Sequence, residues 1–176
     1  MNSRRSLLVL CACGALLWTI FGQINHYLSD WHISLFVGGL LVTFPALRLP
    51  YRDGWKIAVL LGLWCDTGAP VRFGLHAVMF MAAHTFIFHL RGRFPREEAF
   101  LGTVVALIAN AAIFIVLTGA LITRHPAPFA AIPALLLDLF LSELFVAVTA
   151  AWFFALQEHA LEFAGLSLRR EQRGLL

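Results

Sequence analysis

The chain has 176 residues, 60% of them hydrophobic and only 13% charged, with a formal net charge of +3 at pH 7. With a mean hydropathy of +0.82, this composition is far from soluble averages and excludes a water-soluble globular domain; no nucleic-acid partner is expected. Runs of about 20 apolar residues recur, the length a helix needs to cross a bilayer, and the alternating strands of a β-barrel are not visible. Backbone groups in lipid must be satisfied within their own segment, so the fold class expected is all-α, a polytopic membrane helix bundle.

Six spans are predicted in chain order, at about 7–24, 33–47, 55–66, 74–90, 99–122 and 129–156. The first follows Arg4 and Arg5, a start that resembles a twin-arginine or secretory signal. No small-x-small cleavage pattern stands near Gly22 to Asn25, so these residues read as a span anchored by arginines. The third span is the shortest and needs a start near Asp53 to cross. Connections such as Asn25 to His32 and Thr123 to Pro128 are short and rich in turn formers.

Lysine and arginine set the orientation. Arg4, Arg5, Arg48, Arg52, Lys56, Arg91, Arg93, Arg96, Arg169, Arg170 and Arg173 fall on one side, against Arg72 and Arg124 on the other. The positive-inside rule therefore predicts cytoplasmic termini and an even number of spans. The expected division is a transmembrane domain over 1–156 and a cytoplasmic tail over 157–176. In that tail Leu161, Ala164 and Leu168 recur at helical spacing, while Gly165 weakens a helix, so an interfacial helix and a solvated tail both stay open.

Residues Gly62 to Ala77, GLWCDTGAPVRFGLHA, interrupt the apolar pattern so briefly that they predict a tight hairpin between the third and fourth spans. Asp66 is expected to end the third helix at the outer surface, where its carboxylate is hydrated. Gly68 permits a sharp turn and Pro70 stiffens the loop. Gly74 opens the fourth helix without a bulky side chain, letting the helices approach, and His76 comes within reach of Asp66.

The pattern G-x-x-x-D followed by G-L-x-A (Gly62, Asp66, Gly74, Leu75 and Ala77) resembles the rod shape-determining MreD family. Chain length, short loops and the basic RGRFPRE loop after the fourth span agree with it. Where a proline and a leucine are expected before the Gly-Leu pair, Arg72 and Phe73 stand instead. The resemblance implies a non-enzymatic, multi-pass component of the bacterial inner membrane without cofactor or metal. It would bind a bitopic MreC-like protein and help couple MreB-like filaments to the peptidoglycan synthases of cell-wall elongation.

A second feature owes nothing to that resemblance. On the predicted boundaries Glu143 lies within about 2 Å of the midplane and Asp138 roughly 6 Å outward. Asn110 is close to the centre of the fifth span and His84 about 3 Å inward in the fourth. A carboxylate there costs about 2.5–3.5 kcal/mol on insertion scales and needs a partner. Ala147, Ala151 and Ala155 continue from Glu143 at a spacing of four as a packing stripe. Glu143 is thus predicted to face a helix interface and pair with His84 or Asn110, and Asp138 to face a separate cleft or an outward-open cavity. The set reads either as a substrate or proton site, or as hydrogen bonding that holds the bundle or a partner's helix.

Two rival functions follow from the same residues. A vitamin-binding subunit of an energy-coupling factor transporter fits the size and the polar midplane. Its alanine-x-x-x-alanine contact motif is not met by Cys11, Ala12 and Ala15. Glu97-Glu98 is similar to the paired glutamates of CAAX-type proteases, but Gly102 stands where their arginine belongs. No serine, zinc or paired-cysteine motif completes an active site, so catalysis is not expected.

Overall fold

The structure, a computed structural model, describes residues 3–69, 71–93, 99–122 and 128–166. Among the described residues there are six α-helices and no strands: α1 (Ser3–Leu28), α2 (Gly38–Arg48), α3 (Tyr51–Asp66), α4 (Leu75–Leu90), α5 (Ala99–Ile122) and α6 (Pro128–Phe163). Single 3-10 turns, Ser29–Trp31 and Arg91–Arg93, follow α1 and α4. Several features predicted from sequence lie outside the described residues: Pro70, Glu97-Glu98, Arg96, Arg124, and the tail from 167 to 176.

Helices α1, α5 and α6 are long and apolar enough to cross a membrane, while α4 is a shorter apolar helix. The expected second span differs most. Its helix begins at Gly38, and residues 33–37 are not helical. With 11 residues, α2 is about 16 Å long, roughly half the thickness of a hydrocarbon core. Apolar character marked this segment for burial, but it did not decide how the backbone runs. The third helix starts at Tyr51, earlier than predicted, because Pro50 presets the entry and its carbonyl accepts the Asp53 and Gly54 N–H groups at 3.1 and 3.0 Å.

The short helix is the centre of the molecule. Residues Gly38 to Ala46 are all buried, and α2 packs against α3, α4, α5 and α6, while α1 covers α3 and α6. Gly39 lets α2 lie directly on α5, since a Cβ there would strike the Ala106 carbonyl and come within 2.6 Å of Asn110. At the far end of α2, Arg91 Nη1 donates to the Leu49 carbonyl at 2.7 Å, and its guanidinium lies 3.8 Å over the Phe88 ring. Arg48 and Glu158 form an ion pair at 3.2 Å, so the end of α2 is level with that part of α6.

Helix α6 continues without a break past residue 156, the predicted end of the last span. It closes on a glycine cap: Gly165 has φ +75°, and Leu166 N–H reaches the Leu161 carbonyl at 2.9 Å. Leu161 and Leu166 are both buried, the hydrophobic contact that accompanies such a cap. The start of the tail is therefore packed helix.

Candidate functional site

Two constellations position the polar side chains. The first surrounds the non-helical segment before α2. Non-helical backbone is tolerated at membrane depth only where protein satisfies its donors and acceptors. Ser34 N–H donates to Asp138 Oδ1 at 3.0 Å. Asn25 takes both groups of Leu35, accepting its N–H and donating to its carbonyl, each at 2.8 Å. Phe36 N–H donates to Ser142 Oγ at 2.9 Å, and the Phe36 carbonyl accepts from Asn110 Nδ2 at 3.0 Å. The other side of the same amide, Asn110 Oδ1, accepts Gly39 N–H at 3.0 Å.

Asn110 is completely buried and spends its remaining donor on Glu143 Oε1 at 3.0 Å. Ser142 donates to the Asp138 carbonyl one turn back at 2.6 Å. Asp138, Glu143 and Asn110 thus belong to one network serving one segment. The predicted pairing of Glu143 with Asn110 is present. The separate cleft for Asp138 is not, because its carboxylate is turned against the inserted backbone at Ser34.

His84 stands apart from this network. It is buried, and neither ring nitrogen has a hydrogen-bond partner among the described residues. Its neighbours are the Tyr51 ring at 5.6 Å and the Phe88 ring at 6.1 Å. Gly54 leaves room for it, as a Cβ there would overlap Nε2. Of the two partners predicted for Glu143, His84 or Asn110, the structure takes Asn110, and His84 sits between α3 and α4, in an aromatic slot.

The alanine stripe is also corrected. Ala147, Ala151 and Ala155 are exposed, turned away from every helix of this chain. The inward face of α6 is Asp138, Ser142, Val146, Ala150, Phe153, Gln157 and Leu161, all buried. One residue along a helix is about 100° of rotation, so turning Ser142 to the segment carries the stripe outward.

The second constellation is the α3–α4 hairpin. Asp66, the last residue of α3, accepts the N–H groups of Gly74 at 2.9 Å, His76 at 3.0 Å and Ala77 at 3.4 Å. His76 Nδ1 donates to Asp66 Oδ1 at 2.8 Å. The first donors of α4 lack helical acceptors, and one carboxylate from the preceding helix supplies them. Asp66 is buried, 5% exposed, and not hydrated as predicted, because these donors replace water. The predicted reach between His76 and Asp66 is present. The His76 ring is boxed by Trp18, Phe36 and Phe80, with centroids 6.0 to 6.2 Å away.

The glycines divide the work differently from the prediction. Gly62 lets the helices touch, since a Cβ there would overlap Ala77 Cα and come 2.6 Å from its nitrogen. Gly74 has φ +94° and open space around it, so it is needed for its backbone conformation. Leu75, the next residue, packs against the core. Gly62, Asp66, Gly74, Leu75 and Ala77 therefore all belong to one locked turn.

No family model, curated protein or solved structure matches the chain.

Among the described residues no group of three or more His, Cys, Asp or Glu is arranged to hold a metal ion. Sequence reasoning missed Asn25, Ser142 and the Ser34–Phe36 backbone. One signal was present: Asp138, Ser142, Val146 and Ala150 repeat every four residues with two polar members. No comparable signal marks the backbone of residues 34–36, whose partners come from α1, α5 and α6.

Proposed function

We propose that this chain is a non-catalytic membrane scaffold of the MreD type, a six-pass adaptor with cytoplasmic termini in a bacterial inner membrane. It presents helix faces to a bitopic MreC-like partner and basic cytoplasmic loops to MreB-like filaments, linking both to peptidoglycan synthases. The observation that supports this reading is the hairpin. Each residue of its family-like pattern has a structural task in one turn, as expected of a pattern kept for shape. The exposed Ala147, Ala151 and Ala155 provide a close-packing face for a partner's membrane helix.

A substrate-binding transporter subunit is the alternative. It is weakened because Asn110, Asp138 and Ser142 already bond the backbone of residues 34–39. Depletion in the bacterium that encodes the chain tests the adaptor reading. Rods turning into spheres, with a coiled-coil bitopic protein co-purifying with the tagged chain, is the expected result. Cells that keep their shape and wall synthesis would end it, and co-purification of a vitamin-sized ligand would favour the transporter.

A further inference from the structure

The outer surface of α3 and α4 carries a groove that neither constellation uses. Its volume is about 530 Å³, and Tyr51, Trp55, Met81, Thr85, Phe86 and His89 line it. It runs along the first turns of α3 and the last turns of α4, so it lies at one end of the bundle. A soluble protein would offer such a groove to water. The groove's Tyr51 and Trp55 are the residue types that concentrate at a bilayer's boundary between acyl chains and headgroups.

The charge beside the groove is basic. Arg52 and Lys56 follow Tyr51 and Trp55 in the chain and keep the same spacing of one turn along α3. Two other cations at this end are engaged: Arg48 pairs with Glu158 at 3.2 Å, and Arg91 holds the Leu49 carbonyl at 2.7 Å. Arg52 is exposed and has no acidic partner among the described residues. Lys56 is held only loosely by Asp53, at 3.7 Å, with 53% of its side chain exposed.

We propose that this groove binds one anionic phospholipid, an acyl chain against Trp55, Met81 and Phe86 and the phosphate on Arg52 and Lys56. A second copy of this chain would bring like charges together at the groove, and an apolar partner helix would desolvate both cations without pairing them. A phosphodiester headgroup pairs them and leaves the headgroup in water. The site needs only a bilayer surface at this end, so it is independent of the adaptor reading and of which leaflet that surface belongs to.

The test is native mass spectrometry of the full chain released from detergent micelles doped with phosphatidylglycerol or phosphatidylcholine of equal chain length. Each basic residue near a membrane surface contributes about fivefold in affinity for an anionic lipid. Wild type should therefore retain phosphatidylglycerol at least about fivefold over phosphatidylcholine. The double variant R52Q/K56Q should lose that preference, while R72Q, at the opposite end, keeps it. The double variant W55A/F86A should retain less of both lipids. Equal retention of the two lipids by wild type, or an unchanged preference in R52Q/K56Q, overturns the proposal. So does a dimer that carries no lipid. Circular dichroism of each variant separates lost binding from lost fold, and both basic residues are exposed enough to be replaced without disturbing the core.

Discussion

Asp66 and His76 are joined twice: Asp66 Oδ1 accepts the His76 backbone N–H at 3.0 Å and the ring Nδ1–H at 2.8 Å. The carboxylate can only accept, so this geometry sets the tautomer of the imidazole. The same carboxylate, through Oδ2, takes the Gly74 N–H at 2.9 Å. The residue that ends one helix thereby starts the next.

Removing that cap should be costly. Asp66→Ala leaves buried donors at Gly74 and His76 unpaired and should lower stability by about 2–4 kcal/mol. Asp66→Asn keeps one carbonyl acceptor and should lose about half as much. Thermal unfolding of the purified protein in detergent gives the comparison. Equal melting temperatures for Asp66→Ala and wild type would show that the hairpin does not depend on the cap.

Contact between α3 and α4 rests on a missing side chain. Gly62→Ala meets backbone atoms of Ala77, which cannot move aside like a flexible side chain, and should destabilise by about 1–3 kcal/mol. Gly68→Ala has nothing within 4 Å of the new methyl group and should stay within about 0.5 kcal/mol of wild type. The two substitutions are chemically identical, so similar melting temperatures would refute the close approach.

The inserted segment makes Asn110 and Glu143 unequal. Asn110→Leu strands the Phe36 carbonyl and the Gly39 N–H inside the bundle and should cost about 2–5 kcal/mol. Glu143→Gln keeps a side-chain oxygen for Asn110 Nδ2 and should cost under about 1 kcal/mol. Unfolding in sodium dodecyl sulfate resolves differences of this size. A Glu143→Gln loss as large as that of Asn110→Leu would mean the charge itself is required, reopening a proton or substrate role.

His84 should behave in the opposite sense to Asn110. Both ring nitrogens are buried without partners among the described residues, and an unsatisfied buried polar group costs about 1–3 kcal/mol. His84→Leu should therefore leave stability unchanged or raise it by about 1 kcal/mol. A drop in melting temperature like that of Asn110→Leu would show that a ring nitrogen is bonded in the membrane.

The outward alanine stripe separates folding from assembly. Ala151→Leu adds volume on an exposed face of α6 and should leave the isolated chain's stability within about 0.5 kcal/mol. If a partner helix packs there, the same substitution should reduce its co-purification. A marked loss of stability in the isolated chain would place the stripe inside the bundle instead.

The hairpin was largely legible before the structure, because its partners are near in sequence: Asp66 precedes Gly74 by eight positions and His76 by ten. Glycine, aspartate and histidine at such spacing leave a turn few ways to close. The error over Asp66 was one of environment, since spacing says nothing about what excludes water. The alanine stripe shows a related limit. Spacing by four put Ala147, Ala151 and Ala155 on one face, but which face looks inward was decided by Ser142 meeting Phe36 on another element.

What the sequence determined by itself is the solvent and the long elements: hydropathy over about 20 residues requires a bilayer and helices, and α1, α5 and α6 follow from it. Tertiary structure alone decided that residues 33–37 enter the bundle as non-helical backbone. Ser34 bonds across 104 positions to Asp138, Phe36 across 106 to Ser142, and Gly39 across 71 to Asn110. Hydropathy and periodicity report what side chains want from their surroundings. They are blind to a backbone whose hydrogen bonds are supplied by side chains from distant helices, because every residue has the same backbone groups to satisfy.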